Sequence, residues 1–316
     1  MNSTLLFDRP GSVLIEVLGK DAASFLHNLS TNDIKSLPVG QGCEAFFCTH
    51  TARVIGHGIV TRVEAERIWI DADAEQRGTL FKHLDKHFIS EQIELSDRSA
   101  EFGFLRIAGE NASALLPEVA TLPPLHIAQI EPEIWCRRFS GWNIPTFDVI
   151  ATPAKIAELR QRMLDAGAIV GDGTQAEMLR IESGWPKYGV DMDGERFVVE
   201  LDRIPQSISY AKGCYLGQEP IVMARDRGQA NRKFFGLLLA NAEAPAAGTK
   251  VTKDGTEIGV VTSGTRSPRL GQTIALAYLR RGHWQPGGEV QVGDSPAVIS
   301  ALPFPSAGND AQAGHG

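Results

Sequence analysis

The stretch "AKGCYLGQEP", residues 211–220, gathers a cysteine, a lysine, two glycines and a glutamate within ten positions. A free cysteine usually behaves as a small buried hydrophobe, whereas a thiol beside a cation and ahead of a helix N-terminus is biased toward the reactive thiolate. Gly213 and Gly217 permit close backbone turns, and "GQEPIVMAR" can open a helix with Pro220 in its first turn. This combination marks Cys214 as a functional thiol with Lys212 as its charge partner, set against plain packing. Cys43, Cys48 and Cys136 are scattered, without a CxxC pair or a histidine at zinc-finger spacing, so no protein-only metal site is expected. His83 and His87 stand four apart and could meet one metal, but no third ligand accompanies them, which favours a solvated helix face.

Two carboxylates need partners of their own. Glu182 in "LRIESGW" and Glu200 in "RFVVELD" lie amid apolar residues, where an acid must be hydrogen-bonded or partly wet. A salt bridge to Arg180 or Arg203 is one solution. The other is a carboxylate that accepts two N–H donors from a heterocycle such as a pterin. "ARDRGQANRK", residues 224–233, adds a local basic patch.

Hydrophobic periodicity supplies the elements that position these groups. "SVLIEVLGKDAASFLHNLS" reads as a strand to Gly19 followed by a helix capped at Asp21, with Ala22, Phe25, Leu26 and Leu29 on one face. "FGFLRIAGENASALL" repeats that strand, turn and helix about ninety residues later. Between them, "AFFCTHTARVIGHGIVTRVEAERIWIDAD" predicts three strands and "AEQRGTLFKHLDKHF" a helix. "ATPAKIAELRQRMLDAGA" is a helix with Thr152 before Pro153 and Gly167 past its end, and Thr174 with Glu177 suggests a capping box for the next. From Lys233 onward short β-rich runs take over, with "KDGT" a hairpin signal, which predicts a small antiparallel barrel or sandwich. The small, polar end "SAGNDAQAGHG" predicts disorder.

The bulk numbers bound the class. With 43% hydrophobic and 22% charged residues in 316, the chain can bury two or three ordinary cores. The formal charge of -7 argues against nucleic acid as a partner. No apolar run reaches the roughly 18 residues a membrane span requires, and no signal peptide is evident, so the expectation is a cytoplasmic protein with no membrane partner.

"KGCYLGQE" resembles the signature of the YgfZ family of folate-binding proteins, relatives of the glycine cleavage T-protein. "GKDAASFLHNLSTNDIKSLPVGQG", "EMLRIESGWPKYGVDMDGE", "NRKFFGLLL" and "IGVVTSGTRSPRLGQTIALAYLRRG" are similar, in order, to blocks of the same superfamily. The resemblance implies an α+β fold: a T-protein-like ring of two mixed α/β subdomains around a central folate site over residues 1–230, a C-terminal antiparallel β-barrel over 231–303, and a disordered tail, 304–316. It implies bound tetrahydrofolate, with Glu200 gripping the pterin and Arg227, or its rival Arg225, as the basic contact. It also implies a role in assembly or repair of iron–sulfur enzymes, with those enzymes or their assembly factors as partners. The T-protein's aspartate pair is replaced here by Gly56 and His57, and its "GYTGEDG" turn is represented by "GWNIPTFD". A folate-dependent one-carbon transferase and a folate-free scaffold are the alternatives.

Overall fold

The structure is a computed structural model that describes residues 3–228, 230–240 and 243–305, without the side chain of Arg227. The first hundred residues supply β1 (Leu5–Asp8), β2 (Val13–Leu18), α1 (Ala22–Leu29), β3 (Gly42–Cys48), β4 (Val54–Glu64), β5 (Arg67–Ala72), α2 (Arg77–His87) and β6 (Glu94–Asp97). The next stretch adds β7 (Gly103–Ala108), β8 (Ile127–Glu131), β9 (Ile134–Phe139), β10 (Thr146–Ala151), α3 (Pro153–Asp165), the two-residue β11 (Ile169–Val170) and α4 (Gly173–Glu182). Short α5 (Ile204–Ser207) and α6 (Gln218–Arg227) lead into β12 (Arg232–Leu239), β13 (Lys250–Lys253), β14 (Thr256–Ser267), β15 (Gln272–Arg280), β16 (Glu289–Val292) and β17 (Ser295–Ser300).

These strands form a five-stranded sheet in the order β3-β4-β5-β2-β6, a six-stranded sheet β11-β1-β7-β10-β9-β8, and a closed antiparallel barrel β12-β15-β14-β13-β16-β17. The mixed α+β architecture with its C-terminal barrel is the one expected. Each unit has its own core: Ile15, Phe25, Leu26 and Phe47 under the first sheet, Ile107, Val149, Ile156 and Leu159 under the second, and Phe235, Leu237 and Ala277 inside the barrel. A fourth cluster, with Phe46, Ile181, Phe234, Tyr278 and Phe304, welds the barrel to the rest. Among the described residues no helix is long and apolar enough to cross a membrane.

Local signals fared unevenly. Ile156, Leu159 and Met163 form the buried face of α3, with Pro153 opening the helix as its spacing predicts. Asp254 and Gly255 both take positive φ in the β13–β14 hairpin. The repeated turn is real in the backbone, since Gly19 and Gly109 adopt φ of +132° and +143°, but the second copy's helix is reduced to single 3-10 turns at Ala112–Leu115 and Pro117–Val119. Pro117 lacks the N–H that a continuing helix needs. The α4 capping box belongs to Asp172 and Gln175, because the helix starts earlier than Thr174 requires and Glu177 is bound by Arg180 at 2.5 Å. The expected tail begins too early at residue 304, since Phe304 is buried in the shared core; residues 306–316 lie outside the described residues.

Two glycines make opposite predictions. A Cβ on Gly19 would stand 2.3 Å from the carbonyl oxygen of Gln92 in a backbone that L side chains avoid, so Gly19→Ala is expected to cost at least about 2 kcal/mol. Gly78 is exposed inside α2 with nothing near its missing Cβ, so Gly78→Ala is expected to gain roughly 0.5–1 kcal/mol from helix propensity. Urea denaturation of the two variants beside wild type checks both signs.

Candidate functional site

The central charge cluster follows from strand register. Asp148 on β10 stands directly opposite Arg106 on β7 and Arg137 on β9, so all three side chains share one face. Arg106 clasps Asp148 with Nε at 2.6 Å and Nη2 at 2.9 Å, and Arg137 Nη2 donates to the same carboxylate at 2.9 Å. Arg137 also pairs with Asp71 on β5 of the other sheet, which Arg9 grips through both Nη atoms at 3.1 Å. Burial would raise the Asp148 carboxyl, but Arg106 and Arg9 beside it hold it well below the usual carboxylate range. Asp73, in the same lining, adds its negative charge to the field at Arg9.

This cluster floors an open cavity of about 310 Å³ between the two sheets, bordered by α4 and the segment at Trp185. Aromatic faces border it: Arg106 lies 3.7 Å from the Phe139 ring centroid and 4.7 Å from that of Trp142, and Trp185 packs edge-on against Phe139 at 5.1 Å. On the opposite wall, His57 of β4 stacks on Phe46 at 4.5 Å and meets Trp185 at 5.0 Å. Its Nε2 is 2.8 Å from Glu44 Oε1, and Arg203 binds both oxygens of that glutamate, with Nε at 2.9 Å. Burial would raise the Glu44 carboxyl, yet Arg203 and His57 draw it down to about 2. The backbone of His57 is held by Gln76, whose amide accepts from His57 N at 2.6 Å and donates to His57 O at 3.0 Å. Flat aromatic faces, a fixed imidazole and paired polar edges suit a planar heterocycle rich in hydrogen-bonding groups. A pterin has that chemistry.

Of the candidate site residues singled out from sequence, His57 lines the cavity and the others lie elsewhere. Glu182 is buried and committed to Ser267 and, at 3.0 Å, to Arg269, which removes it from the candidates for a free pterin-binding carboxylate. Glu200 sits in the 3-10 turn Val198–Leu201, outside the cavity lining, accepting from Phe197 N at 3.3 Å; burial raises its carboxyl. Arg225 is exposed, covering Tyr210 at 4.5 Å and bonded to Asp226 at 2.6 Å. Arg227 closes α6, and its side chain lies outside the described residues. Beside His57, the cavity takes Arg9, Asp71, Arg106, Arg137 and Trp185. One signal for them was available: "FLRIA", "TFDVI" and "IWIDA" each carry a single charge in an apolar strand, and a buried charge demands a counter-charge.

Cys214 is the one exposed cysteine of the four, on the loop ahead of α6. Burial pushes the Cys43 and Cys48 thiols up to about 12 and that of Cys136 higher still. The expected pairing with Lys212 is corrected by the geometry. The Lys212 ammonium is buried and donates to the carbonyls of His27, Ser30 (2.7 Å) and Asn32 (2.7 Å), where a cation closes the C-terminal end of α1. With Leu216 N bonded to Asn28 O at 2.9 Å, it holds the loop in place and leaves Cys214 facing out. His83 and His87 bond within their own helix, His87 Nδ1 to His83 O at 2.7 Å, and no metal-like cluster occurs among the described residues.

Three outcomes are expected. Iodoacetamide at pH 7 should label Cys214 at least about tenfold faster than the buried thiols, since access and thiolate fraction set the rate; peptide mass spectrometry reads it, and comparable rates would contradict the burial. Lys212→Met strands three carbonyls and should cost at least about 2 kcal/mol in urea unfolding. Glu44 has its folded pKa depressed from 4.5 to about 2, so its contribution is present above pH 4.5 and lost as pH falls toward 2. Stability of wild type should therefore fall more steeply across that window than stability of Glu44→Gln, which starts lower.

Comparison with known proteins fits this architecture. Residues 1–202 match the GCVT N-terminal domain family, and residues 232–304 match the glycine cleavage T-protein C-terminal barrel domain. Aminomethyltransferases of Symbiobacterium thermophilum and Rubrobacter xylanophilus are 27% and 29% identical; the alignments cover 91% and 95% of this chain and 81% and 82% of theirs. The crystal structure of the glycine cleavage system aminomethyltransferase T from Bartonella henselae superposes with a TM-score of 0.87 at 22% identity, over 96% of this chain and 87% of that one. With both of its domain types matched in order along one chain, the protein belongs to the glycine cleavage T-protein family.

Proposed function

We propose that the protein binds a reduced folate in the cavity between its two sheets and acts, as a YgfZ-type member of the family, in assembly or repair of iron–sulfur enzymes through Cys214. The observation that carries the folate part is the cavity itself: the Trp185 ring beside a fixed polar floor in which Arg106 covers Phe139 and Trp142, in a family whose relatives are aminomethyltransferases. The pterin would lie among Trp185, His57 and the Arg106–Asp148 pair. What supports the thiol's role is the "KGCYLGQE" block together with a loop whose every anchor lies on its inner side, which leaves Cys214 exposed. Clients would be the iron–sulfur enzymes or their assembly factors.

A second reading, a folate-dependent one-carbon transferase, is favoured by one feature: the Glu44-bound His57 on the cavity wall. An imidazole differs from a carboxylate in charge and reach, so aminomethyl transfer from a lipoyl carrier is not expected.

Calorimetric titration with tetrahydrofolate tests the proposal. Wild type should bind. Trp185→Ala should weaken binding at least about tenfold, as expected when a stacking face worth about 1.4 kcal/mol or more is lost, whereas Glu200→Ala should change it less than about threefold because Glu200 lies off the cavity. No binding by wild type removes folate from the account, and a large effect of Glu200→Ala moves the pterin away from the cavity. Cys214→Ser should fold and melt like wild type yet fail to restore iron–sulfur enzyme activity in cells lacking the native protein; full restoration removes the thiol's role.

A further inference from the structure

Three nitrogens on the cavity wall have no partner in these contacts: Trp142 Nε1 and Arg137 Nε, which can only donate, and one of the His57 ring nitrogens, which can accept. His57 is 2% exposed and lines the cavity. Its Nε2 meets Glu44 Oε1 at 2.8 Å, while its Nδ1 has no partner among the described residues. The two ring nitrogens are chemically distinct, and the bond made by one fixes the state of the other.

Glu44 decides which is which. Its carboxyl is ionised at neutral pH, because Arg203 binds both of its oxygens from 2.9 Å and closer. An ionised carboxylate only accepts, so the nitrogen facing it must carry the proton. In the neutral ring that leaves Nδ1 bare, as a lone pair. The ring cannot turn to exchange its nitrogens without breaking that bond, and it is clamped between Phe46 at 4.5 Å and Trp185 at 5.0 Å. Gln76 fixes the strand backbone at the same residue, and Gly58 next to it has no room for a side chain, since a Cβ would lie 2.3 Å from Asp71 O. The ring's place and its tautomer are both set before any ligand arrives.

We propose that His57 is the proton-accepting group of the cavity: held as the Nε2–H tautomer by Glu44 and Arg203, it presents the Nδ1 lone pair to an N–H or O–H of the bound molecule. Glu44 and Arg203 are positioning residues that never touch the ligand. The complementary ligand carries a donor at the edge of a flat ring, as a reduced pterin does through its ring and amino N–H groups. If a proton is transferred there, it moves from the ligand to Nδ1, the electron pair stays on the ligand, and the imidazolium formed is stabilised by the Glu44 carboxylate already bonded to Nε2. The identity of the ligand rests on the folate reading above, but the state of the ring does not.

The test has two independent arms on the full chain. Ring-15N histidine labelling with long-range proton–nitrogen correlation reads the tautomer directly, and His57→Gln identifies the signals by their loss. A pyrrole-like Nε2 with a pyridine-like Nδ1 is expected for the neutral ring; a protonated Nδ1 with a bare Nε2 overturns the proposal. In the second arm, tetrahydrofolate is titrated into two variants. His57→Phe keeps the ring stack but has no lone pair, and should weaken binding at least about tenfold. His57→Gln keeps a donor for Glu44 and an acceptor oxygen, and should stay within about fivefold of wild type. Circular dichroism melts within a few degrees of wild type show that both fold; should His57→Phe not fold, His57→Leu takes its place with the same expectation. Tight binding by the variant lacking the lone pair overturns the proposal, whereas absence of binding by wild type overturns the folate reading and leaves the tautomer measurement to decide on His57.

Discussion

The chain of charge from Arg9 through Asp71, Arg137 and Asp148 to Arg106 is the constraint on which the cavity depends. Asp71 belongs to the five-stranded sheet and Asp148 to the six-stranded one, so Arg137, bonded to both, ties the sheets together at the cavity floor. Such a cluster adds little stability over an apolar packing of equal volume, because desolvation offsets most of the attraction. What it imposes is specificity. A one-residue slip of β10 against β9 would send Asp148 to the other face of the sheet, leaving the buried Arg106 without its carboxylate and Arg137 with Asp71 alone, at a cost of several kcal/mol. Register and sheet-to-sheet docking at the cavity floor are therefore one property seen two ways.

The elements were legible because they are local. The α3 periodicity, the Asp-Gly hairpin and the Gly19 turn depend on a few neighbouring residues, and the structure has them where the sequence puts them. The misreadings came from contacts that span the chain. Lys212 looked like a partner of Cys214, two residues away, but its ammonium reaches carbonyls some 180 positions earlier. Glu182 looked free for a ligand, but Ser267 and Arg269 of the barrel region take it. Adjacency in sequence suggested the first pairing, and no local pattern announces the second.

The site was legible only in an indirect form. Arg106, Asp148 and Asp71 each interrupt an apolar strand, and such an interruption says that a counter-charge exists without saying where. Glu44 interrupts the apolar strand "GCEAFFC" in the same way, and what stays hidden is its partner Arg203, 159 residues away. The family resemblance supplied the two mixed subdomains and the C-terminal barrel. It could not supply the tautomer of His57, which follows from a pair of hydrogen bonds and from the charge state of one carboxylate.

The cavity and the exposed thiol share a frame. Strand β3 carries Glu44 and Phe46, which orient His57, and Phe46 exchanges backbone and side-chain bonds with Thr31, at 2.9 and 3.0 Å. Thr31 in turn accepts from Ser209 N at 3.0 Å and donates through Oγ1 to Ser207 O at 2.6 Å, at the start of the segment that runs on to Cys214. Arg203, just upstream, reaches back to Glu44. Strand β3 thus holds the partners of His57 and, through Thr31, the segment that leads to the Cys214 loop. The two sites have no side chain in common, and what joins them is the backbone of this one strand and its bonds to Thr31.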